Sequence, residues 1–341
     1  MLSALLREWL KFQIRLGLPV YFRRLRVTGA EHVPASGPIL FAANHQNSFL
    51  DALMVTVTQH RPMHYLVRSD VFRKPLARKL LTMLYMMPVF RIRDGWGTLG
   101  NNASTFNRCV AIFRNGGAVL IFPEGNHGTQ LRLRALSRGF TKPIAMALAE
   151  QPGLPIQVVP VGLAFSHHTA FRAPASVNYG RPIPVLDFVK DGQLDANALR
   201  DALAKAMKQL IVHIEDPTSC EQVTEKLKSA GADLTDPVAV NTLIRSWEEG
   251  KDIRPSGSLP EWSGTKAPFR VLHFLPLAGW YSLYKTIRDP MFTGSLKSVY
   301  GVFACPLYYL LVAVILWTIV GPVTAATVIG VMALSVFAYR N

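Results

Sequence analysis

Only three of the 341 residues are cysteine, at positions 109, 220 and 305. They are odd in number, scattered, and form no CxxC pair. That excludes a disulfide framework and a zinc site built on thiolates. The chain therefore reads as one that works in a reducing compartment. Acidic residues are also few, with 22 Asp and Glu against 37 Lys and Arg and a net charge of +15. The imbalance points to an anionic partner: a membrane surface, a phosphorylated substrate or nucleic acid. The basic residues show neither the aromatic interleaving nor the module that nucleic acid requires, so no nucleic-acid partner is expected. Charge of either sign makes up 17% of the chain and apolar residues 50%, which excludes intrinsic disorder. No internal repeat or low-complexity tract is present.

Charge disappears altogether over residues 299–339, a run of 41. One membrane span needs about 20 residues, so two fit, and Gly321-Pro322 marks a break between them. Lys297 precedes the run and Arg340 follows it. A hairpin with basic flanks places both of its ends in the cytoplasm. The alternative is a helical pair buried in a soluble core, although such helices rarely go uncharged on every face. At the other end, Arg7, Lys11 and Arg15 form a polar stripe opposite Leu5, Trp9, Phe12 and Leu16. This reads as an interfacial helix on anionic lipid, or as an ordinary amphipathic helix packed on a domain. It has no continuous apolar segment with a small-residue cleavage site, which excludes a signal peptide.

Between these ends, strand and helix patterns alternate. Strands are expected over 38–43, 118–122, 156–163 and 177–179, and helices over 51–60, 75–87, 104–114 and 141–150. Alternation of this kind indicates an α/β layer structure. After Pro184 the strands are expected to stop. Helices follow over 196–215, 219–230 and 237–249, then a Pro- and Gly-containing linker over 254–266. Residues 271–283 are apolar and aromatic but too short to span.

Four constellations carry chemistry. Asn44-His45-Gln46-Asn47-Ser48-Phe49-Leu50-Asp51 follows a buried strand, where ligands of α/β sheets usually bind. His45 and Asp51 diverge on a straight helix, because six residues turn through about 240°. They meet only if His45 lies on the loop and Asp51 in the first turn of the next helix. A carboxylate there would fix the imidazole tautomer and let His45 take a proton from a hydroxyl. Ser48 and Asp51 also fit a capping box, which would make Asp51 a helix cap only. The second constellation is Phe122-Pro123-Glu124-Gly125-Asn126-His127-Gly128, a turn with exposed amides. Arg132 and Arg134 follow it, and together these suit an oxyanion such as phosphate. The third, Pro88-Val89-Phe90-Arg91-Ile92-Arg93, places two arginines on one face of a strand. Their forked guanidinium groups match phosphate, though they also fit a plain exposed pair. The fourth, Val158-Val159-Pro160-Val161-Gly162, reads as structural or as a substrate wall.

In their chain order, NHxxxFxD, PVFRxR, FPEG and VVPVG, the four blocks resemble those of the glycerophospholipid acyltransferase family, the lysophosphatidate and glycerol-3-phosphate acyltransferases. The resemblance covers residues 38–165. It implies His45 as general base, Asp51 as its orienting acid, and Arg91, Glu124 and Gly125 as binders of the acceptor phosphate, with Arg93 a competing candidate. Two departures stand out. The spacing is His45-x5-Asp51 where x4 is usual, which is similar to the fungal-type glycerol-3-phosphate and dihydroxyacetone-phosphate enzymes. Asn126-His127-Gly128 replaces the usual Thr-Arg-Ser, which shifts the expected cation to Arg132 or Arg134.

The resemblance thus implies an acyltransferase-type mixed α/β sheet flanked by helices, plus a helical C-terminal region and a two-helix transmembrane hairpin. The expected division is 1–27 membrane-surface helix, 28–187 catalytic domain, 188–253 helical extension, 254–297 linker and interfacial segment, and 298–341 hairpin. The expected activity is membrane-bound O-acyl transfer from acyl-CoA or acyl carrier protein to glycerol 3-phosphate or 1-acylglycerol 3-phosphate. The catalytic domain is expected on the cytoplasmic face of the lipid bilayer, with no metal and no bound cofactor. A phospholipid-remodelling transacylase or lysophospholipid acyltransferase is the alternative, and a non-enzymatic basic membrane-binding protein a remote one.

Overall fold

The run 39–43 is apolar at all five positions because it lies at the centre of a sheet and is buried on both faces. The computed structural model describes residues 2–90, 100, 102–251, 253 and 266–339. In chain order the first half forms α1 (Leu2–Tyr21), β1 (Leu25–Thr28), β2 (Ile39–Ala43), α2 (Phe49–Thr58), β3 (Met63–Arg68), α3 (Pro75–Met83), β4 (Met86–Val89), α4 (Asn102–Arg114), β5 (Ala118–Ile121), α5 (Thr141–Glu150) and β6 (Gln157–Phe165). There follow β7 (Ala175–Tyr179), β8 (Ile183–Pro184), β9 (Val189–Lys190), β10 (Gln193–Leu194), α6 (Ala196–Leu210), α7 (Cys220–Ser229), α8 (Pro237–Glu248), α9 (Ala267–Leu272), α10 (Phe274–Tyr284), α11 (Thr293–Val320) and α12 (Pro322–Ala338).

The main sheet has eight strands in the order β1-β7-β6-β2-β5-β3-β4, with β8 pairing to β6. Strands β6, β2, β5, β3 and β4 run parallel. β7 is antiparallel to β6, which makes the sheet mixed. The loops after the parallel strands therefore gather at one edge, and those after β2 and β5 are two of the constellations read from the sequence.

Alternation along β2 divides the core. Leu40 and Ala42 face a cluster with Phe113 of α4, Ile144 of α5 and Leu203 of α6. Ile39, Phe41 and Ala43 face Leu18 and Tyr21 of α1 and Leu50 and Met54 of α2. A third cluster joins α7 and α8 through Leu227, Val240 and Leu243. Burying a side chain of this size is worth about 1.5–3 kcal/mol. Gly162 admits α6 to the sheet: a Cβ there would lie 2.1 Å from the Leu210 carbonyl oxygen. The fourth sequence block is thus a packing device. The Arg26–Asp236 ion pair, at 2.6 Å, ties the start of α8 to β1.

Three expectations are corrected. The helix expected over 75–87 stops at Met83, because Tyr85 turns at φ 61° and β4 pairs with β3. Pro88 is tolerated there because β4 is an edge strand. Strands do not end at residue 184, since β9 and β10 form a small antiparallel ribbon. The helix expected over 196–215 ends at Leu210. Strands β1 and β3 were not marked by periodicity, because both carry polar residues and are only partly buried. The linker expected over 254–266 lies almost wholly outside the described residues.

α11 and α12 meet at Gly321, whose φ of 88° reverses the chain at the expected break. The helical stretch Pro290–Val320 is long and apolar enough to cross a membrane. α12 has 17 residues, about 25 Å at the usual rise. α1 packs on α11, where Gly17 lets Val302 approach and Trp9 lies tilted against Phe303, with centroids 5.9 Å apart. Its last turn enters the core through Leu18 and Tyr21, while Leu5, Trp9, Phe12 and Leu16 stay exposed.

Candidate active site

His45 is the second residue after β2, on the loop, and Asp51 lies in the first turn of α2. This is the only arrangement in which a six-residue separation lets them meet, and they do. His45 Nδ1 lies 2.8 Å from Asp51 Oδ2. The same oxygen accepts from the Gln46 N–H at 2.8 Å and the Asn47 N–H at 2.7 Å. Asp51 is fully buried, while the His45 side chain keeps 16% of its surface. Ser48 makes no side-chain cap bond, so the capping-box alternative does not hold. Asp51 instead binds the loop before its helix and the imidazole together. A proton on His45 Nδ1 satisfies the carboxylate and leaves Nε2 as the basic nitrogen.

Between His45 and Asp51, Ser48 adopts φ 47° and ψ −125°. For a residue with a Cβ this conformation costs about 1–3 kcal/mol and persists only where its surroundings hold it. The imidazole face stacks on Phe122, with centroids 4.1 Å apart and planes 17° from parallel. Asn44 fixes the other end of the loop. Its side chain donates to the Leu163 carbonyl at 3.0 Å and accepts from the Leu163 N–H at 2.6 Å.

Glu124 follows β5 and points inward. Its carboxylate accepts from the His45 N–H at 2.9 Å, the Arg134 N–H at 3.0 Å and the Arg134 guanidinium at 2.6 Å. The Glu124 side chain is 2% exposed. Arg134 Nη2 also donates to the His45 carbonyl at 3.1 Å, and Nη1 to Asn126 Oδ1 at 2.6 Å. Gly125 turns the chain at φ 72°. Arg132 stands apart, near His213, whose imidazole it repels. Arg91 and Arg93 lie outside the described residues. The chain just before them is held by Asn102, which bonds both the N–H and the carbonyl of Phe90 at 2.8 Å.

Two residues that touch the site were not read as site residues. His127 meets it edge-on, with centroids 5.6 Å apart, and lies 3.4 Å from Ser48 Oγ and 3.7 Å from Asp289. Burial and the adjacent His45 hold His127 below the ordinary imidazole range. The sequence signal for it was the replacement of an expected arginine. The other is Ser295 of α11, whose hydroxyl bonds the 44–48 loop. It carries no local signal. Among the described residues no group of three or more His, Cys, Asp and Glu side chains is gathered as a metal would require.

Residues 24–164 match the family model described as Acyltransferase. This segment, under half of the chain, is similar to acyltransferase-family domains. It is similar, at 32% identity over 110 residues, to glycerol-3-phosphate O-acyltransferase 2 of Saccharomyces cerevisiae, covering 32% of this chain and 14% of that protein. Against the chloroplastic 1-acyl-sn-glycerol-3-phosphate acyltransferase LPAT1 of Arabidopsis thaliana the identity is 25% over 143 residues, covering 42% of this chain and 36% of that one. The crystal structure of the 1-acyl-sn-glycerophosphate acyltransferase PlsC from Thermotoga maritima is a loose likeness. Its TM-score is 0.41 and its identity 15%, over 65% of this chain and 81% of that chain. The matched segment holds β1 to β5, all but the last residue of β6, and all four sequence blocks, whereas α6 to α12 lie beyond it.

The protein should be acid-labile. His64, His127, His168 and His213 all titrate below the ordinary value of 6.5, with burial the largest cause in each. Unfolding lets each take a proton near 6.5. Their contribution to stability is thus complete above that pH and is lost as the pH falls towards the folded values. The thermal unfolding midpoint is expected to stay level from about pH 8 to 7 and to fall below about 6.5. A midpoint that rises on acidification through that window would contradict the burial of these rings.

Proposed function

We propose that the chain is a membrane-bound O-acyltransferase. It moves a fatty acyl group from a thioester donor, acyl-CoA or acyl carrier protein, to a hydroxyl of glycerol 3-phosphate or 1-acylglycerol 3-phosphate. The contact that carries this reading is His45 Nδ1 to Asp51 Oδ2 at 2.8 Å. His45 Nε2 takes the acceptor hydroxyl proton as the oxygen attacks the thioester carbonyl. The C–S bond then breaks, and the leaving thiolate recovers the proton from His45. The ester forms with no net change in charge.

Glu124 serves by holding Arg134, and Arg134 in turn supplies positive charge at the rim of the site for the acceptor phosphate. Gly125 shapes the turn beside it. Arg91 and Arg93 are proposed for the same phosphate, on their sequence position alone. A shallow, open cleft runs along α2 between α1 and β4. Leu53, Met63, Leu84 and Met86 line it, with Arg7 and Lys11 also on its wall. Its apolar lining suits an acyl chain. The membrane reading rests on the exposed apolar surface of α11 and α12, including Leu307, Leu310, Trp317 and Ile319. A core helix of a soluble protein would bury those groups.

The test is purified full-length protein in phospholipid vesicles, supplied with acyl-CoA and with both acceptors in competition. Acylated product that requires the thioester is expected. Transfer from phospholipid without thioester would assign a transacylase, and no transfer to either acceptor would remove the reading.

A further inference from the structure

The strained turn at Ser48 is held by a residue that lies far outside the matched domain. α11 begins at Thr293, and its first turn lies against the 44–48 loop. Ser295 is buried, with its hydroxyl between two backbone groups of the turn. It donates to the Asn47 carbonyl at 2.6 Å and accepts from the Leu50 N–H at 2.9 Å. Those two groups bracket Ser48 and Phe49 and also bond each other, at 3.1 Å, so the hydroxyl reinforces the turn from outside. Gly294 makes the approach possible: a Cβ there would lie 2.3 Å from the His168 carbonyl oxygen and 2.6 Å from Asn47 Oδ1. Asn47 itself is anchored, since its side chain donates to the His168 carbonyl at 2.6 Å.

The two ends of this turn are also the two ends of the Asp51 geometry. The Asn47 N–H donates to Asp51 Oδ2 at 2.7 Å, and Leu50 directly precedes Asp51 in α2. We propose that Ser295 is a positioning residue for the site: its hydroxyl, carried on α11, holds the 47–50 turn and so sets Asp51 against His45. This rests on the acyl-transfer reading of that site. Ser295 touches no reacting atom. Its loss frees the turn to relax from the Ser48 conformation, which moves the carboxylate away from the imidazole and makes His45 less basic.

Ser295→Ala is expected to lower kcat about tenfold, as small misplacements of a catalytic group do. The KM for donor and acceptor should hold within about twofold, because no binding group is removed. The acid limb of the kcat profile should move to lower pH. Ser295→Cys keeps the shape and weakens the hydrogen bond, so it should fall between alanine and wild type. Ser335→Ala is the control. Ser335 is a buried hydroxyl on α12 that bonds only its own helix, at Met332, and its variant should match wild type.

Wild-type kcat and pH profile in Ser295→Ala would overturn the proposal, and so would an equal loss in Ser335→Ala. Where the alanine variant does not fold, a cysteine variant that matches wild type would overturn it equally. An NMR titration of the His45 imidazole, assigned with His45→Gln, reads the same shift without turnover. If wild type transfers no acyl group, the functional reading fails while the titration still judges Ser295. If wild type is active and Ser295→Ala is unchanged, only the positioning role fails.

Discussion

Replacing His45 with alanine should lower turnover by about 10²–10⁴-fold, the usual contribution of a general base, while the protein keeps its fold. The second half of that expectation follows from the bonding. Asp51 Oδ2 retains the Gln46 and Asn47 N–H groups when the imidazole is gone. The His45 backbone keeps its bonds from Arg134 and to Glu124. What is lost is the ring stacked on Phe122 and the nitrogen that receives the proton. Initial rates with saturating acyl-CoA, read beside the thermal midpoint, separate loss of chemistry from loss of structure. Unchanged turnover would remove His45 from the mechanism.

Asp51→Asn should be nearly as damaging, for a different reason. An amide oxygen in the place of Oδ2 can still accept from Gln46, Asn47 and His45 Nδ1, which all meet that one oxygen, so the loop keeps its cap. The negative charge that supports the imidazole as it takes the proton is lost, however. The amide nitrogen falls at the buried Oδ1 position, where no hydrogen-bond partner lies among the described residues. Turnover should drop by about 10²-fold or more, with KM little changed. A variant with wild-type turnover and pH profile would reduce Asp51 to a cap for the loop.

The parts legible in the sequence were those where one physical requirement dominates. The apolar runs of β2 and β5 announce strands covered on both faces. α5 occupies 141–150, where its amphipathic spacing placed it. The meeting of His45 and Asp51 could be read as a condition on loop and helix. Other parts depend on partners that local pattern does not contain. β4 looked like the tail of a helix because its residues are apolar, and only pairing with β3 makes it a strand. Glu124 belongs to a block whose resemblance implied phosphate, yet its carboxylate is engaged by the His45 N–H and by Arg134, ten residues away. Ser295 reaches Asn47 across 248 residues of chain, and no window along the sequence spans that.

The Ser295 contact also sets a timetable for the nascent chain. Leu50 and its serine partner are 245 positions apart. Ribosomes add about 5–20 residues per second, so the loop waits roughly 12–50 s for its clasp. Until α11 emerges, the sheet can form, but the turn at Ser48 lacks the Ser295 hydroxyl and rests on its local bonds, such as the Leu50 N–H to the Asn47 carbonyl. On the positioning role proposed for Ser295, the His45–Asp51 geometry would be completed only as the apolar hairpin is laid down beside it.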